Sequence, residues 1–174
     1  MTRWAAWTLV AATVIVYLVM VLWSLPRISG EAGGLTPFDM RPGGYSFDEA
    51  RAFLAVLSPE GKRFYLDVQH KLDLVYPALM AFSLMAALRW AWRGVPRVVL
   101  TAMMFVAIAG AGFDYLENQR VSVMLAAGPD EITTDMVRAA SLRSVLKAGL
   151  TTVAMMLLLL GLGWRGWTAW RARA

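Results

Sequence analysis

Four apolar segments constrain this chain more than anything else in it. They cover residues 4–25, 74–88, 98–113 and 146–164. Crossing the hydrocarbon core of a bilayer takes a helix of about 20 mostly apolar residues. The first segment meets that length outright. The second and third fall short, so their helices must draw on flanking residues. Together the segments raise the hydrophobic share to 59%, above the range of ordinary soluble domains. The chain's 174 residues suffice for one domain. The expected architecture is all-α, a single polytopic membrane domain over residues 1–174, with spans near 4–25, 73–90, 97–114 and 146–164.

Charge orients the spans. Arg3 precedes the first, Arg89, Arg93 and Arg97 mark the short loop 89–97, and Arg165, Arg171 and Arg173 follow the last. These stretches hold no acidic residue, and all 12 carboxylates lie elsewhere. The positive-inside rule then places both termini and loop 89–97 in the cytoplasm. Loops 26–72 and 115–145 fall on the outer face. Trp4, Trp7, Trp90, Trp92, Trp164, Trp167 and Trp170 lie at the cytoplasmic boundary and Trp23 at the other, the pattern of an aromatic belt. The dominance of Arg over Lys suggests a GC-rich, bacterial source, hence the inner (cytoplasmic) membrane. The first apolar run exceeds the core of a signal peptide and no A-x-A site follows it, so an uncleaved anchor is expected.

Several functions drop out. The net charge of +5 is a topology signal, and no basic groove or motif supports nucleic acid binding. With no cysteine, disulfides, thiolate metal sites and cysteine nucleophiles are excluded. The expected partners are the lipid bilayer and either a lipid head group or another membrane protein, with oligomerisation left open.

The loops carry their own signals. "SFDE" is a capping box with Ser46 at the N-cap and Glu49 at N3. "SPEG" starts another helix from Ser58, with Pro59 at its first position. No breaker follows until Pro77, so that helix should run into the second span. The third span should continue past Asn118 to about Ala127, where "GP" stops it. Thr133 or Thr134 then caps the helix that becomes span four. The outer face should thus carry helical extensions of the bundle.

The sharpest feature is polar. "FDYLEN" sets Asp114, Glu117 and Asn118 on one helix face directly after an apolar run. Depth can be counted from the cytoplasmic arginines at about 1.5 Å per residue. Asp73 stands about 24 Å above Arg89, Asp114 about 26 Å above Arg97, and Lys147 about 27 Å above Arg165. Three charges on three helices therefore share one level near the outer lipid boundary. A second tier, one turn out, offers Gln69 and His70, Glu117 and Asn118, and Arg143 and Ser144. Tyr76 continues the face inward. Charges at such depth turn to the bundle interior and seek partners.

This set supports several readings. As a staple, it ties helices together. As a ligand pocket, it offers His70, Tyr76, Asn118, Arg143 and Lys147. As a divalent metal site, His70, Asp73, Asp114 and Glu117 would be the ligands. As an active site, Asp73, Asp114, Glu117 and Lys147 would supply acid–base chemistry on a lipid or lipid-linked substrate. No nucleophile motif accompanies them. The expectation is a small integral membrane protein that binds a ligand or partner at this pocket. The alternative is a membrane-embedded enzyme using the same residues.

Overall fold

A computed structural model describes residues 2–173. It is all-helical among those residues, with four helices long and apolar enough to cross a membrane. The first is built in three pieces, α1 (Arg3–Val19), a π-helical turn (Met20–Ser24) and α2 (Leu25–Glu31). The π turn has a cause in the sequence. Pro26 has no N–H for residue 22, and its ring crowds that carbonyl. The preceding turn widens, and the Leu25 N–H reaches back five residues to the Met20 carbonyl.

A loop with one 3-10 turn (Phe38–Met40) leads to α3 (Phe47–Val56). The capping box forms as the sequence indicates. Ser46 Oγ accepts from the Glu49 N–H at 3.2 Å, and Glu49 Oε2 accepts from the Ser46 N–H at 2.7 Å. Ser58 then caps α4 (Pro59–Phe64), accepting from the Gly61 N–H at 2.9 Å. A second π turn (Tyr65–Gln69) passes directly into α5 (His70–Ala91). The rod Pro59–Ala91 is 33 residues long. The 15 or so apolar residues counted in the sequence are thus less than half of it. Helix α6 (Arg97–Ala127) is 31 residues and ends at Gly128, whose φ of 79° suits a residue without Cβ. Helix α7 (Thr134–Arg171) is 38 residues and is capped by Thr133.

Helices α6 and α7 pair along their length, α5 packs on both, and α1 packs along α5. Close approach has identifiable means. Gly110 of α6 faces Thr151 of α7, where a Cβ would sit 3.2 Å from Thr151 Oγ1. At the end carrying the termini, Gly161 of α7 lies against Trp92, and a Cβ there would stand 2.6 Å from Trp92 Nε1. That indole N–H donates to the Leu157 carbonyl at 2.9 Å.

The opposite end carries a cap. Residues 32–58 fold over the ends of α2, α4, α6 and α7 around Ile28, Phe38, Phe53, Tyr65, Met124 and Val137, all buried. Phe53 meets Phe38 and Tyr65 edge to face, with ring centroids 4.8 and 6.4 Å apart. Gly61 lets α4 touch the end of α2, since a Cβ would lie 2.5 Å from Glu31 Cβ. Glu31 closes the same joint by accepting from Ser58 Oγ at 2.5 Å.

Candidate functional site

The charged residues Asp73, Asp114, Glu117 and Lys147 of the long helices collect where the bundle meets the cap. On α6 and α7 they form a closed ion cluster. Lys147 Nζ lies 2.5 Å from Glu117 Oε2 and 3.3 Å from Asp114 Oδ1. Ser144 Oγ donates to Glu117 Oε1 at 2.5 Å. Helical spacing explains the grouping: Asp114 and Glu117 are one turn apart on α6, as Ser144 and Lys147 are on α7. Glu117 is fully buried, while Asp114 and Lys147 keep side-chain exposures of 15% and 19%.

A second string comes from α5 and the first rod. Ser24 Oγ donates to Gln69 Oε1 at 2.6 Å, and Gln69 Nε2 donates to Asp73 Oδ1 at 2.9 Å. Ser24 and Gln69 are the last residues of the two π turns, which pack against each other. A π turn widens the helix and re-aims the side chains it carries, and such turns favour functional positions. Asn118 joins the two strings. Its Nδ2 lies 3.4 Å from both Asp114 Oδ1 and the Asp73 carbonyl oxygen. All four membrane-length helices thus contribute to one network.

Charge in the network is not balanced. The ammonium of Lys147 contacts Asp114 and Glu117. The third carboxylate, Asp73, forms no salt bridge among the described residues and is bonded to the Gln69 amide. Asp73 is 4% exposed, and its Oδ2 is buried without a hydrogen-bond partner. Unpaired buried polar atoms are uncommon, and each calls for a specific account.

The cap seals the site from above. Asp39 of the 3-10 turn accepts a short hydrogen bond from the Tyr65 hydroxyl. The Tyr45 N–H donates to Ser141 Oγ at 2.8 Å. The Tyr45 hydroxyl is itself buried without a partner. Burial, and next the nearby Glu117 charge, push its phenol well above the usual range. Arg41 spreads over Phe38, Tyr45 and Phe53, with its guanidinium carbon 5.8–5.9 Å from each ring centroid.

The residues expected from sequence are sorted unequally. Asp73, Asp114, Glu117, Asn118 and Lys147 come together, with Gln69 and Ser144 of the outer tier. Arg143 does not join them, since its Nη1 donates to the Ala139 carbonyl of its own helix at 2.5 Å. Tyr76 stacks on Tyr17 of α1, with centroids 6.1 Å apart. His70 turns another way. Its Nδ1 lies 3.0 Å from the Tyr65 carbonyl, and its Nε2 lies 2.6 Å from Ser122 Oγ and 3.1 Å from the Asn118 carbonyl. Both ring nitrogens are therefore engaged. Accordingly His70, Asp73, Asp114 and Glu117 do not converge as a ligand set, and the described residues contain no group of three or more His, Cys, Asp or Glu placed to hold a metal ion.

Sequence reasoning missed Ser24, Asp39, Tyr45, Tyr65 and Ser122. Ser24 carried a faint signal, as a lone hydroxyl at the end of an apolar run. Ser122 carried one too, standing one turn beyond Asn118 on α6, while Asp39, Tyr45 and Tyr65 sit in irregular loop or in turns whose phase the sequence does not disclose.

Compared with protein-family models, with curated proteins and with solved structures, the chain matches none.

Proposed function

We propose that the chain is a four-span protein of the bacterial inner membrane. Its termini and the Trp92–Pro96 turn lie in the cytoplasm, and its cap lies on the outer face. At the bundle–cap junction it binds a ligand through a cationic group that meets Asp73. The observation carrying this reading is Asp73 Oδ2, buried and unpartnered in a cluster whose carboxylates outnumber its one ammonium. A buried charge without a partner is costly, and a ligand ammonium would supply the missing one. The test is thermal unfolding of the purified protein with ethanolamine, compared with potassium and calcium salts at equal ionic strength. A ligand at a hundredfold excess over its Kd stabilises by about 2.7 kcal/mol. Ethanolamine should raise the melting temperature of the wild type and not of Asp73→Asn. An equal response of both proteins would refute the assignment, as would no response from the wild type.

The enzymatic alternative has one geometric support of its own. Ser122 Oγ lies 2.6 Å from His70 Nε2, and the other ring nitrogen is held by the Tyr65 carbonyl. A base oriented in this way can activate a hydroxyl for attack on a lipid-linked ester. A fluorophosphonate probe that labels Ser122, and fails on His70→Ala, would move the reading to this second class.

A further inference from the structure

A second candidate site lies about as far from the polar cluster as the molecule allows. At the end carrying the termini, a cleft of about 700 Å³ runs between α1 and α5. That is within the size of ligand-binding cavities. Its walls mix small apolar side chains, Ala6, Val10, Ala86 and Ala87, with the rings of Trp7 and Trp90. Arg89 and Arg93 line it where α5 gives way to the Trp92–Pro96 turn, and no carboxylate lines it. Neither guanidinium forms a salt bridge among the described residues. Nearby Arg165 differs. It donates to the Trp90 carbonyl at 3.1 Å and covers the Trp90 ring at 4.4 Å, so it is committed to structure. Both hydroxyls of the wall are already used: deeper in the cleft Ser83 Oγ is paired with Thr13 Oγ1 at 2.8 Å, and Thr2 Oγ1 accepts from the Ala5 N–H at 3.3 Å.

The cleft therefore grades from cationic at one end to apolar at the other. We infer that it holds an anionic glycerophospholipid, with the phosphate between Arg89 and Arg93 and the upper part of one acyl chain between α1 and α5. Zwitterionic lipids lack the net charge that two unpaired arginines select. A small soluble anion would leave the apolar walls unused. The inference rests on the proposal that the four helices span a bilayer.

Native mass spectrometry of the full-length protein, released from nanodiscs of equal phosphatidylglycerol and phosphatidylcholine, tests it. Phosphatidylglycerol should be retained preferentially. Preference should fall about fivefold for each guanidinium removed in Arg89→Gln and Arg93→Gln, following the usual contribution of one basic side chain near an anionic surface. Ala87→Phe should abolish retention with both arginines intact. Inorganic phosphate at millimolar concentration should not compete. Equal retention of both lipids would overturn the proposal, as would unchanged selectivity in the double glutamine variant or displacement by phosphate alone. Alkaline carbonate extraction of the wild type separates this failure from the broader one. A protein that leaves the membrane in carbonate refutes the spanning topology, whereas one that stays but shows no lipid preference refutes only the lipid site.

Discussion

Lys147 is the residue on which most of the buried chemistry turns. It is the single cation contacting Asp114 and Glu117, and Glu117 has no exposure to share its charge with water. Removing one member of a buried ion pair leaves the other uncompensated and costs about 3–5 kcal/mol. Lys147→Met should therefore destabilise by that amount, and adding Glu117→Gln should recover part of it. A double-mutant cycle on unfolding free energies measures the coupling, and additivity within about 0.5 kcal/mol would mean the two do not interact. Gly161 is the corresponding steric case. A methyl group there would press within 2.6–2.9 Å of Trp92 and Ala91. Gly161→Ala should lower the melting temperature and blue- or red-shift Trp92 emission as the indole leaves the Leu157 carbonyl. An unchanged melting temperature would mean the α5–α7 contact is looser than the geometry implies. Legibility at this scale was uneven. Helical spacing and depth grouped Asp73, Asp114, Glu117, Asn118 and Lys147 correctly, because a straight helix converts residue number into height and angle. The same logic failed for Arg143 and His70. Long or two-headed side chains choose among nearby carbonyls, and sequence spacing does not list carbonyls.

Among elements, α3 is the simplest to perturb. It is a short helix whose start depends on the Ser46–Glu49 box. Ser46→Ala should cost about 1 kcal/mol, the usual value of an N-cap hydroxyl. The Ser46 N–H and hydroxyl hold the Glu49 carboxyl below the ordinary carboxylate range. The sign follows from that direction. Its contribution is present above the normal glutamate pKa and is lost as pH falls through the lowered folded value. Protection of the α3 amides, taken relative to the intrinsic exchange rate at each pH, should therefore fall below about pH 4 in the wild type, and Glu49→Gln should show a weaker dependence. Equal acid sensitivity in both would assign the effect elsewhere. Helix starts and stops were readable because caps are local: Ser46, Ser58, Thr133 and Gly128 each act within one turn. The loop around Phe38 was not, since a 3-10 turn between irregular stretches has no period to detect. Its aromatic contacts depend on partners far along the chain.

For the whole molecule, the proposed topology makes one demand. Both ends of the chain must lie on the side opposite the cap. A reporter fused after residue 174 should be active only in the cytoplasm. Cysteines introduced at Arg51 and Glu131, both exposed in the cap region, should react with impermeant reagents in intact spheroplasts. Cytoplasmic silence of the fusion together with protected cysteines would invert the topology and with it the leaflet of both candidate sites.

The paired π turns place a further condition on the fold. Each inserts one residue beyond the regular helical repeat, and one residue corresponds to about 100° of rotation. In each rod, then, the part that keys into the cap and the part that runs with the bundle are separately phased, like two screws joined by a washer. Shortening Tyr65–Gln69 by one residue would leave the composition of the second rod almost intact and turn Asp73 from its neighbours toward the outer surface. The polar junction is thus fixed by an angle as much as by the identity of its residues. A homologue could keep every charged residue and lose the site through a single deletion.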